Sequence, residues 1–89
     1  MHHAAVLAFI GWYLIVPPLK GGIYDPRAPL SKWTISFPEE TREDCVEERD
    51  GWLQASIQQH NTGRVRAFRL SKCVRTSDPR LKSNRLKSN

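Results

Sequence analysis

Ser36-Phe-Pro-Glu-Glu-Thr-Arg-Glu-Asp-Cys-Val-Glu-Glu-Arg-Asp-Gly-Trp-Leu-Gln-Ala-Ser-Ile-Gln-Gln-His60 reads as one acidic helix around which the rest of the chain is organised. Ser36, Phe37, Pro38 and Glu39 fit a capping box, with Ser36 at the N-cap and Glu39 reaching back to its amide. Pro38 is tolerated in a first turn, where its missing N–H has no intrahelical partner. Glu39, Glu40, Glu43 and Asp44 crowd the positive end of the helix dipole. Cys45 and Trp52, Val46 and Leu53, then Ile57, recur at helical spacing and gather on one face. Gly51 costs about 1 kcal/mol relative to Ala, and Asn61-Thr62-Gly63 is a stop signal. The expected helix spans 38–58.

Outward from this helix, the chain divides into four. Residues 1–19 carry no Asp, Glu, Lys or Arg, and Ala4–Val16 is an unbroken apolar run. An uncleaved membrane anchor is the first reading, because the length is near the ~20 residues that a span requires. Trp12 and Tyr13 suit an interface. A signal peptide is the second: its apolar length fits, but no basic residue precedes it and Val16-Pro17-Pro18-Leu19 is a poor cleavage site. A buried helix is the third. Residues 20–32 hold two glycines and two prolines and read as a linker. Residues 33–78 form the candidate folded unit. In it, Trp33, Ile35 and Phe37 alternate with Thr34 and Ser36 as a half-buried strand.

Arg64–Leu70 reads as a second strand whose phase slips between Ala67 and Phe68, suggesting a bulge or break. Cys73-Val74 continues it, and Ser77-Asp78-Pro79 turns. Residues 79–89 state Leu-Lys-Ser-Asn twice and read as a basic, solvated tail. The fold class expected is α+β: an apolar N-terminal helix followed by a small strand–helix–strand unit. Two strands alone are marginal, and a hydrophobic content of 39% is lean for 89 residues. A staple would help so small a core. Cys45 and Cys73 allow one intramolecular bond; closing a 28-residue separation would contribute roughly 3–4 kcal/mol by loop entropy. Two free thiols in a cytosolic protein are the competing reading.

Trp12-Tyr-Leu-x-x-Pro-Pro18, Ala28-Pro-Leu-Ser-x-Trp33, Cys45, and Cys73-Val with Asp78-Pro-Arg-Leu81 together resemble a group of short, uncharacterised bacterial proteins. These have an apolar N-terminus ending in W-Y-L-x-x-P-P, an A-P-L-S-x-W segment and two cysteines, the second followed by D-P-R-L. The resemblance implies an exported or membrane-associated protein with paired cysteines. It implies no particular activity. The localisation expected is the bacterial inner membrane facing the periplasm, or, if the N-terminus is cleaved, secreted or periplasmic. Lys20, Arg27 and Lys32 after the span argue for the opposite topology by the positive-inside rule; the paired cysteines favour the outside. A Cys45–Cys73 disulfide is the expectation.

Charge is segregated. Seven of nine acidic residues lie in 39–50 and nine of fourteen basic residues in 64–89, so the two segments are natural partners. The first reading is that Arg64, Arg66, Arg69 and Lys72 lie beside the helix carboxylates, in pairs worth ~0–1 kcal/mol each. The second makes these four the candidate anionic-surface contacts, to lipid phosphate or nucleic acid. Only Phe68 in residues 64–89 could stack on a base, which disfavours nucleic acid.

Zinc is disfavoured because Cys45, His60 and Cys73 lack ligand spacing. Met1-His2-His3 is a weak square-planar Cu(II) or Ni(II) motif. Glu43, Asp44, Glu47 and Glu48 oppose a thiolate at Cys45, and Cys73 has no His–carboxylate partner. No catalytic, metal or cofactor residues are assigned. A non-enzymatic exported or membrane-anchored interaction protein is expected, with residues 1–19 engaging the membrane. The alternatives are a nucleic-acid-binding protein using the basic C-terminal region and, least favoured, a thiol-redox protein.

Overall fold

The computed structural model describes residues 11–82. Trp12–Val16 is not helical. It is strand β1, the centre of a three-stranded antiparallel sheet. Its neighbours are β4 (Thr34–Glu39) and β5 (Lys72–Arg75). Between β1 and β4 a two-stranded hairpin, β2 (Leu19–Lys20) and β3 (Ile23–Tyr24), turns at Gly21-Gly22. A 3-10 turn follows at Leu30–Lys32. Helices α1 (Arg42–Gln58) and α2 (Thr62–Leu70) lie between β4 and β5, and a second 3-10 turn covers Pro79–Leu81.

The expectation of a membrane-spanning helix over residues 1–19 is therefore corrected where the structure describes it. Residues 1–10 lie outside the described residues. No helix among those described is long and apolar enough to cross a membrane. The physical reason for the misreading is that β1 is buried on both faces. Leu14 and Ile15 point to opposite sides of the sheet and are both fully buried. A strand covered on both sides is apolar at every position, so it lacks the alternation that marks a half-buried strand.

The face bearing Leu14 is covered by the helices. Leu14 pairs with Phe37 on β4 and Cys73 on β5. A ring stack rises from there: Phe37 lies 5.7 Å from Trp52 of α1, and Trp52 lies 6.1 Å from Phe68 of α2. Such pairs contribute about 0.5–1.5 kcal/mol beyond area burial. The Trp52 indole donates to Glu48 Oε2 at 2.7 Å, so its polar edge is satisfied. The opposite face carries a smaller core of Ile15, Trp33 and Val74, packed by Tyr13, Ala28, Leu30 and Leu81. Trp33 donates its indole N–H to the Ala28 carbonyl at 2.9 Å. The segment 20–32, read as a linker, thus contains a hairpin and supplies the wall of this second core.

Strand β4 also departs from simple alternation. Phe37 pairs with Leu14 and Ile35 with Ile15, leaving Ser36 as a bulge between them. A bulge moves the residues on its two sides to opposite faces. Phe37 joins the helices, whereas Ile35 shares the Ile15 face and is 48% exposed. The expected common face of Trp33, Ile35 and Phe37 is thereby split.

Helix α1 starts at Arg42 and not at 38, because residues up to Glu39 pair with β1. Thr41, not Ser36, is its N-cap and accepts from the Asp44 amide at 3.0 Å. It ends on His60, whose φ of 56° is left-handed. There His60 N–H bonds to Ile57 O and Asn61 N–H to Ser56 O, each at 3.0 Å. This double return satisfies the last carbonyls. Asn61 then caps α2 by accepting from the Arg64 amide at 3.0 Å. The expected strand over 64–70 is a helix. Arg64, Ala67 and Phe68 recur at i, i+3 and i+4, so the phase slip at Ala67/Phe68 was helical periodicity.

Candidate functional site

The two cysteines are brought together. Cys45 in the first turn of α1 and Cys73 on β5 form a disulfide with Cα atoms 6.1 Å apart, within the span that such a bond accepts. Cys45 is fully buried. The bond ties α1 to the far edge of the sheet from β4, the strand that leads into α1. It belongs to the scaffold and leaves no free cysteine among the described residues.

The four candidate basic contacts do not form a single patch. Arg64, Arg66 and Arg69 sit on α2 and are exposed. Lys72 pairs with Ile15 and so emerges on the opposite face, its Nζ lying 5.6 Å from the Trp33 ring centroid. Arg75, which the sequence reading did not single out, lies 5.3 Å over Trp12. Cation–π contacts of this kind are worth about 0.5–1 kcal/mol when exposed.

Nor do the arginines of α2 neutralise α1. Among the described residues, ion pairs join Arg49 to Asp50 at 3.2 Å and Arg80 to Asp78 at 2.7 Å, and none reaches Arg64, Arg66 or Arg69. The topology explains this for Arg64. Glu39 pairs with Trp12 at one end of β1, and the acidic half of α1 begins immediately beyond it. Arg64 shares a groove with Val16, Pro17 and Leu19 at the other end. The carboxylates instead feel one another: loss of hydration, then Glu48 and Asp44, raise the Glu39 pKa above its ordinary value. Arg64 is thus held away from the start of the acidic segment.

Two hollows flank α2. One, of about 320 Å³, runs between α2 and the base of the hairpin; Tyr24, Ser36, Arg64 and Phe68 are on its walls. The other, about 530 Å³, is lined by Thr62, Val65, Arg66, Arg69 and Leu70. Both are shallow and open, and both combine apolar side chains with guanidinium groups. This suits an extended anionic surface better than an enclosed small molecule, which needs most of its area buried. Met1-His2-His3 lies outside the described residues.

The hairpin was the feature most readily missed. Leu19-Lys20-Gly21-Gly22-Ile23-Tyr24 carries a visible signal, since two glycines between strand formers mark a tight turn with two positive φ angles. Gly21 and Gly22 adopt φ of 62° and 82°. Compared with known proteins, the chain matches no family model, no curated protein and no solved structure.

Proposed function

We propose that this chain is a non-enzymatic interaction module of an oxidising, extracytoplasmic compartment, and that α2 presents its arginines to an anionic partner. The observation that carries the reading is that Arg64, Arg66 and Arg69 are exposed on one short helix with no carboxylate of the described residues in ion-pair range. The compartment rests on the disulfide, a bond that persists where thiols are not held reduced. Nucleic acid is the weaker partner class. Phe68, the sole aromatic residue in 64–89, gives a ring face to Trp52, and so is not free on both sides to stack on bases.

The test is binding of the oxidised full chain to heparin, a soluble polyanion, at physiological ionic strength. Arg64→Gln/Arg66→Gln/Arg69→Gln should bind at least tenfold more weakly, with a shallower salt dependence, at unchanged thermal stability. Equal binding by this variant and the parent chain would sink the proposal.

A further inference from the structure

We infer that the β2–β3 hairpin is a membrane-surface probe that places Leu19 and Ile23 among the headgroups of an anionic lipid leaflet, with Lys20 and Arg64 on the phosphates. This rests on the reading of α2 as an anion-facing helix and names its partner. Leu19 is 59% exposed and Ile23 62%, the two most exposed large apolar side chains among the described residues. They sit on a projecting element. A Cβ built on Gly21 or on Gly22 would meet nothing within 4 Å, so the turn stands in open solvent.

The hairpin is nevertheless held in shape. Leu19 pairs with Tyr24 and Lys20 with Ile23, and Asp25 N–H closes the base on the Pro18 carbonyl at 2.8 Å. Pro17, buried, and Pro18 stiffen the strand that leads into it. A rigid apolar tip loses little conformational freedom on insertion.

Charge complementarity decides the occupant. Lys20 lies in the hairpin itself, and Arg64 shares the groove below it with Leu19 and Tyr24. Asp25, at the base of the hairpin, is engaged by the Arg27 amide at 3.0 Å. The seven acids of 39–50 begin at the opposite end of the sheet. A cation close to an anionic leaflet contributes roughly fivefold to partitioning. Apolar side chains flanked by cations are the chemistry of a headgroup boundary. A protein partner of the same charge would leave Leu19 and Ile23 without a role unless it also brought an apolar pocket.

The oxidised full chain should be floated with vesicles of pure phosphatidylcholine and with vesicles containing 30% phosphatidylglycerol, at physiological salt. Binding should be confined to the phosphatidylglycerol vesicles. Leu19→Ser/Ile23→Ser should lower it at least tenfold while leaving heparin binding and thermal stability unchanged, since both side chains are solvent-exposed. Lys20→Gln/Arg64→Gln should lower it about tenfold or more. Vesicle binding unaltered in the Leu19→Ser/Ile23→Ser variant overturns the hairpin inference while the basic helix stands. Equal binding to both vesicle types overturns it as well, since cations then play no part. Single-stranded RNA that competes the chain off vesicles, and binds it more tightly independently of Leu19 and Ile23, gives the surface to nucleic acid. Failure of the α2 triple variant to alter heparin binding removes the reading beneath it.

Discussion

Gly11 and Gly51 show how differently one residue type behaves in two settings. Gly11 is buried where β1 begins, exchanging bonds with Thr76: its N–H donates to Thr76 Oγ1 at 3.2 Å and its carbonyl accepts from the Thr76 amide at 2.9 Å. A Cβ there would collide with the Glu39 carbonyl oxygen, and Glu40 Cα would stand 3.5 Å away. Backbone cannot swing aside as a side chain can, so Gly11→Ala should destabilise by about 1–3 kcal/mol. Gly51 is exposed within α1, and an added Cβ meets nothing. Gly51→Ala should stabilise by about 0.5–1 kcal/mol through helix propensity and a less flexible unfolded chain. Urea midpoints at constant slope measure both. A neutral Gly11→Ala would show that β1 and β4 can separate at that end.

Among the elements, the 3-10 turn at Pro79–Leu81 is held by charge while it covers the Trp33 core. Asp78 caps it, accepting from the Arg80 amide at 2.9 Å, and takes the Arg80 guanidinium at 2.7 Å. The Arg80 side chain and amide hold the Asp78 pKa down at about 2, against an ordinary 3.8. A depressed carboxylate stabilises the fold above its unfolded pKa, and that contribution is lost as pH falls from about 4 toward 2. Glu39 works in the other direction. Its raised pKa means that its contribution is fully present below the unfolded value and is lost as pH rises through the folded one. Asp78→Asn keeps a capping oxygen but removes the charge. Its stability should therefore fall less steeply than the parent's below pH 4, in urea titrations at stepped pH. An identical acid limb in the two proteins would mean that solvent screens the Asp78–Arg80 pair to nothing.

For the molecule as a whole, the disulfide compensates for a divided core. The sheet is covered on both faces, but among the described residues each cover is thin: two helices on the Leu14 side, and on the other two 3-10 turns and the segment that carries Ala28. Burying Leu14 and Ile15 stabilises by about 1.5–3 kcal/mol each, which is little against the ordering of a chain this size. Reducing Cys45–Cys73 should lower stability by roughly 3–4 kcal/mol, the loop-entropy value for a separation of 28 residues. Urea midpoints with and without a phosphine reductant give this number. A reduced chain as stable as the oxidised one would place the scaffold's stability in packing alone. Because the Cys45 side is fully buried, reduction should also be slow until the chain opens.

Local chemistry was sufficient for several features. Helical spacing from Cys45 to Ile57 defined most of α1, Trp33–Phe37 read as extended, Asp78-Pro79 as a turn, and the two cysteines as partners. Each is a short-range signal or a count with one solution. Other features needed the sheet. Ser36-x-x-Glu39 and Thr41-x-x-Asp44 are both capping patterns, and only the pairing of Glu39 with Trp12 selects the second. Trp12–Val16 is equally apolar as a membrane helix or a strand. What makes it a strand is partners 18 and more residues away and cover on both faces, which no local window contains. That Arg64 forms no ion pair with a carboxylate of the described residues follows from the same cause. Matched charges along a chain neutralise one another only if the topology brings them together, and here β1 holds Arg64 and the start of the acidic segment at opposite ends.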